Sequence, residues 1–142
     1  MSASTDIVNR YYRAINEARW DLYDELFTAD ATLEGPGGVT GRGPDAMRAF
    51  DQVWKNAAPD FTVTVLEQVA SDNRVMSENT VAGTHTGTLV LPVGELPATG
   101  KPFGSKYVGV FEVADGRITA QHVYFDRLVV VETLGMPQPA AV

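Results

Sequence analysis

SKYVGVFEVADGRITAQHVYFDRLVVV, residues 105–131, decides the fold. Two runs rich in Val, Tyr and Phe, Ser105 to Val113 and Arg117 to Val131, flank Asp115-Gly116, and that pair has the residue types a tight hairpin turn demands. The runs are therefore expected as antiparallel neighbours whose register the short turn nearly fixes. Working backward, Phe61 to Val69, Arg74 to Thr86 and Thr88 to Leu91 have the same strand-like composition, so the second half of the chain reads as a sheet.

The first half has a different period. Ile7, Val8, Tyr11, Tyr12 and Ile15 form one apolar stripe of a helix that Ser4 or Thr5 is placed to cap, with Asp6 favourable to its dipole. Trp20, Tyr23, Leu26 and Phe27 mark a short second helix. Ala31 to Glu34 reads as a brief strand, ended by the turn Gly35-Pro36-Gly37-Gly38. Pro44 suits the first turn of a third helix whose buried face is Ala46, Met47, Phe50, Val53 and Trp54, and Pro59 forbids its continuation. Helices followed by strands make an α+β class: a curved antiparallel or mixed β-sheet wrapped around N-terminal helices, forming a cone with an internal apolar pocket. One domain over residues 1–136 and a flexible C-terminal tail over 137–142 account for the length.

Composition narrows the function. With 18 acidic against 11 basic residues the chain carries a net charge of −7, the wrong sign for nucleic acid, and no basic stripe offsets it. It has no cysteine, which removes thiolate nucleophiles and zinc–thiolate sites. No run approaches a membrane span and the start carries no secretory signal, so the expectation is a cytoplasmic protein without a membrane partner. His85, His122 and Asp126 are metal-capable types, but no element carries them at ligand spacing, so no metal and no cofactor are expected.

Alternation puts His122, Tyr124 and Asp126 on one face of the last strand and Gln121, Val123 and Phe125 on the other. The same rule groups Tyr107, Gly109 and Phe111, and then Asn79, Val81, Gly83 and His85. If the three polar-capable faces converge, they line an apolar chamber suited to acid–base work on a small hydrophobic organic molecule. Periodicity leaves open which face is concave.

Tyr11-Tyr12-Arg13-Ala14-Ile15-Asn16, Leu26-Phe27-Thr28-Ala29-Asp30-Ala31-Thr32, Gly41-Arg42-Gly43 and Asp115-Gly116-Arg117-Ile118 resemble the landmarks of the nuclear-transport-factor-like cone superfamily. Within it, Gly83-Thr84-His85-Thr86-Gly87, Ala98-Thr99-Gly100-Lys101 and the ending Tyr124-Phe125-Asp126 through Leu134-Gly135 are similar to the SnoaL-like polyketide cyclases. The resemblance implies a concave face containing Asp126, which matches the cyclase general base that starts an intramolecular aldol closure. His122 stands where that family often has a tryptophan. Ketosteroid isomerases on this fold would carry their working aspartates where this chain has Gly35 and Gly109, although Tyr11 resembles their phenol. Limonene-type epoxide hydrolases would carry Arg and Asp where this chain has Asn79 and Val81, although Asp126 matches their final carboxylate.

The resulting expectation is a cofactor-independent cyclase or isomerase. Asp126 removes a proton α to a carbonyl, and His85, His122 or Tyr124 stabilises the enolate. Tyr11, Trp54, Asn79, Tyr107, Phe111 and Tyr124 contact the substrate. The alternatives are a non-catalytic binding protein with the same polar groups, or epoxide opening by an altered set. Val108, Val110, Val123 and Phe125 on the exposed sheet face would form an apolar patch, so a homodimer through that face is expected.

Overall fold

A computed structural model describes residues 3–92 and 94–135; the tail expected over 137–142 lies outside them. Helix α1, Ala3–Asn16, buries the anticipated stripe. Ser4 and Thr5 lie inside the helix, not at its cap, and Ser4 donates to the Asp72 carbonyl. A 3₁₀ turn at Trp20–Leu22 leads into the short helix α2, Tyr23–Leu26.

Strand β1 spans Phe27–Gly35, longer than anticipated, and turns through Gly37 and Gly38 into β2, Val39–Arg42, which the sequence reading did not foresee. Both glycines have a φ of 78°, a region that costs side-chain-bearing residues energy, so the turn selects glycine. Helix α3, Pro44–Ala57, begins and ends within two residues of the flanking prolines, as expected. Strands β3, Thr62–Ser71, β4, Arg74–Thr84, β7, Pro102–Ala114, and β8, Arg117–Phe125, complete a six-stranded sheet in the order β2-β1-β8-β7-β4-β3. Its pairs are antiparallel except β1 with β8, which makes the sheet mixed. A small separate ladder pairs β5, Leu89–Leu91, with β6, Gly94–Leu96. Helices α1, α2 and α3 pack on one side of this framework, and the core lies between them and the sheet.

One irregularity decides which side chains reach that core. Asp115 and Gly116 form the turn with φ of 51° and 76°, pairing Ala114 with Arg117 and Val113 with Ile118, but the next pair is Glu112 with Ala120. Thr119 is an extra residue, a β-bulge whose hydroxyl donates to the Glu112 carbonyl at 3.2 Å. Because the side-chain period is two, this single insertion exchanges the faces of everything after it. Phe111 now pairs with Gln121, Gly109 with Val123 and Tyr107 with Phe125, so Gln121, Val123 and Phe125 face the core. His122, Tyr124 and Asp126 do not, which corrects the expected orientation. The outer face therefore carries Val108 and Val110 as expected, joined by Tyr124 and the exposed Met76, while Val123 belongs to the core.

The strand expected to run to Val131 stops at Phe125, and Arg127–Leu134 is a helix, α4. The cause is local. Asp126 Oδ1 accepts the Leu128 N–H at 3.0 Å, which is an N-cap bond. Gly135, with φ of 77°, ends the helix.

Gly87 seats the end of α3. Its N–H and that of Thr86 both donate to the Ala57 carbonyl, and a Cβ on Gly87 would overlap the Asn56 carbonyl oxygen. That backbone atom has little freedom to retreat, so Gly87→Ala is expected to cost about 2 kcal/mol or more. Urea unfolding checks this, and an unchanged midpoint would contradict the close approach.

Candidate functional site

Helix α3 places one carboxylate on its apolar stripe. Asp51 shares the buried face with Met47 and Trp54, and only 6% of it is exposed. The Tyr11 hydroxyl, from α1, donates to Asp51 Oδ2 at 2.8 Å, and the Tyr23 hydroxyl, from α2, donates to the same oxygen at 2.7 Å. Gln121 Nε2, from β8, donates to the Tyr11 oxygen at 3.0 Å. Two helices thus donate to one acid, and β8 supports one of the donors.

Burial disfavours the charged form of Asp51 and raises its pKa from 3.8 to about 7, even though the two phenol donors pull it down. The phenols are shifted upward as well. Burial, then the neighbouring Asp51, holds Tyr11 and Tyr23 well above the ordinary phenol range, so both remain neutral donors while Asp51 changes charge near neutrality. A carboxyl group poised this way can take or give a proton at physiological pH.

Asp51 and Tyr11 form the polar corner of a cavity of about 50 Å³ whose walls include Trp54, Phe61, Val81, Phe103, Val123 and Phe125. Trp54 stacks on Phe61 and meets Phe125 edge-on, with ring centroids 6.3 and 5.8 Å apart. Gln121, Tyr107 and Ser105 add polar groups, and Val130 of α4 closes part of the wall. Behind this chamber, Asn79 Nδ2 donates to the Tyr12 hydroxyl at 3.1 Å and Ser77 donates to Asn79 at 2.8 Å. Gly109 makes room for that network, since a Cβ there would come within 2.7 Å of the Tyr12 oxygen.

Of the residues expected to contact substrate, Tyr11, Trp54 and Tyr107 line the cavity. Asn79 and Phe111 are fully buried beside it, in the Tyr12 network and the aromatic core. Tyr124 is 58% exposed on the outer face. His122 Nδ1 lies 3.4 Å from Glu34 Oε2, with both side chains substantially exposed. Asp126 is an exposed helix cap and not a cavity group. His122, Tyr124 and Asp126 instead border an open groove of about 820 Å³ together with Glu34 and Lys106. His85 is fully buried beyond the end of β4, its Nδ1 accepting the Thr99 N–H at 3.3 Å, and it does not line the cavity. Of the groups expected to share one chamber, His122 and Asp126 meet in this outer groove and His85 lies apart from both. Among the described residues, no group of three or more His, Asp or Glu is gathered to hold a metal ion, and no helix is long and apolar enough to cross a membrane.

Asp51, Tyr23 and Gln121 are the residues that sequence reasoning missed. A signal for Asp51 existed: Met47, Phe50 and Trp54 are spaced as one helix face, and Asp51 falls on that face between them.

The fold has many structural relatives. A protein from Jannaschia sp. CCS1 assigned as a SnoaL-like polyketide cyclase superposes with a TM-score of 0.83 at 19% identity, covering 96% of this chain and 94% of that one. IdmH from Streptomyces antibioticus, assigned as a polyketide cyclase, gives 0.78 at 26% identity over 94% and 99%. An LEH-like epoxide hydrolase from M. tuberculosis gives 0.71 at 23% identity over 93% and 89%. The expected cone fold is therefore present. Among curated protein sequences, none matches this one. The SnoaL-like domain model matches residues 8–121, so the chain belongs to the SnoaL-like family.

Proposed function

We propose that the chain binds a small enolisable carbonyl compound in the chamber between α3 and the sheet, and that Asp51 moves its proton. The observation that carries this reading is a buried carboxyl group with pKa about 7, held by two phenols at the polar end of an apolar cavity. In the forward step the Asp51 carboxylate takes a proton from the carbon α to the carbonyl, and the C–H electron pair passes into an enolate. Once Asp51 is neutral, the Tyr11 hydroxyl is no longer bound to a charge and can turn to the new oxyanion. Return of the proton to another carbon gives isomerisation, whereas attack of the enolate carbon on a second carbonyl, whose π electrons pass to its oxygen and take up the Asp51 proton, gives ring closure. The likeness to IdmH and its relatives favours polyketide-like ligands.

A volume of about 50 Å³ holds only a few waters, so a ligand of that class enters by displacing part of the wall. Val130, which forms part of that wall, belongs to the short α4, the last helix described.

The test is hydrogen–deuterium exchange. Small ketones incubated with the protein in D₂O at pD 8 are expected to lose their α-proton NMR signals with saturable kinetics. Saturable binding of those ketones with no exchange beyond buffer would leave a non-catalytic binding protein as the better description.

A further inference from the structure

Gln121 is 2% exposed and lines the cavity. Its amide orientation follows from its neighbour. The single Tyr11 hydroxyl hydrogen is directed to Asp51, so toward Gln121 the Tyr11 oxygen can only accept, and it is Nε2 that must point at it. Oε1 is then left buried with no hydrogen-bond partner among the described residues. A buried amide oxygen without a donor is costly. Thr28 Oγ1 and His85 Nε2 share that condition, but neither residue lines the cavity.

We infer that Gln121 is a specificity residue whose Oε1 accepts a hydrogen bond from the ligand, so that the chamber selects hydroxylated carbonyl compounds over those with no donor at this corner. The inference rests on the cavity reading proposed above. It adds a chemical requirement: the ligand carries an O–H group close to the position where Asp51 works, as an enol, a phenol or a β-hydroxy ketone does. Nothing in the apolar walls would make that distinction. An apolar pocket rejects a group poorly by size alone, whereas a site built around a hydrogen bond discriminates strongly against a ligand that cannot make it.

Phenol and toluene are nearly equal in size and differ in the donor, and both can be titrated calorimetrically into the protein at pH 8. The wild type is expected to bind phenol about tenfold or more tighter than toluene, and Gln121→Met, which keeps the side-chain length without the amide, is expected to erase the difference while toluene affinity holds. In the wild type, the Gln121 side-chain carbonyl ¹³C resonance should move with phenol and stay in place with toluene, a readout that does not depend on the variant folding. A phenol preference that survives in a folded Gln121→Met, or a carbonyl resonance indifferent to phenol, would overturn the role of Gln121 while leaving the cavity reading intact. Failure of both probes to bind at all would remove the cavity reading and this inference with it.

Discussion

Replacing Asp51 by Asn is expected to reduce catalysed α-proton exchange by two to four orders of magnitude at pH 8, a typical loss for a general base, while Asp126→Asn leaves the rate within about threefold of wild type. The two carboxylates make the comparison sharp. Asp51 is enclosed with two phenols bonded to one oxygen, whereas Asp126 is exposed and occupied in capping α4. Asn keeps an oxygen that can accept both phenol bonds, so the polar corner should survive and ketone binding should change little. The wild-type rate should rise with pH through about 7, because the base is the ionised form and burial holds Asp51 protonated below that point. Tyr23→Phe removes one donor that favours the carboxylate and should carry this limb to higher pH. Single-turnover exchange across pH 5 to 9 reads both effects. If Asp126→Asn abolishes exchange and Asp51→Asn does not, the chemistry belongs to the outer groove with His122 and Tyr124.

How much of this was legible beforehand differs by residue. The hairpin at Asp115-Gly116 and the bounds of α3 follow from turn chemistry and two prolines, each a local effect that tertiary packing does not override. The bulge at Thr119 leaves no such mark. Ile118, Thr119 and Ala120 are each at home in a regular strand, and the ladder with and without an extra residue differs by one step that inverts every later side chain. Apolar content alone would have preferred Val123 and Phe125 inside over His122, Tyr124 and Asp126. The resemblance of Asp126 to the cyclase base favours the opposite face, and the strand follows its apolar content. The helix after Asp126 shows a similar conflict, since Leu128, Val129 and Val130 suit a strand but Asp126 and Gly135 are its cap and stop. Propensity is a weak prior, and the caps prevailed. Asp51 was overlooked for a different reason: a carboxylate inside an apolar helix face is expected to be rare, and only its partners on α1 and α2, 40 and 28 residues away in sequence, make it tolerable.

That tolerance has a measurable cost, and its pH dependence gives the second large effect. Asp51 has a folded-state pKa of about 7 against 3.8 when unperturbed, so between those values the folded chain holds a proton that the unfolded chain has released. Stability from this group is therefore full below pH 4, declines as pH rises, and is lost once pH passes 7. A difference of about three units corresponds to roughly 4 kcal/mol in total, of which about 2 to 3 kcal/mol falls between pH 5 and 8. The other shifted groups, Lys55 lowered by burial among them, are common to wild type and Asp51→Asn and cancel in the comparison. Asp21 and Asp60 are lowered and complete their titration on the acid side, while the buried tyrosines are raised further into the alkaline range. Asp51→Asn cannot ionise, so urea unfolding should show the variant gaining on wild type by about 2 to 3 kcal/mol as the buffer moves from pH 5 to pH 8. The variant that destroys catalysis would then gain stability relative to wild type as the pH rises, which is the signature of a charge buried for chemistry instead of for folding. Parallel pH profiles for the two proteins would mean that Asp51 keeps an ordinary carboxylate pKa, and it would then have no claim to be a base tuned to neutrality.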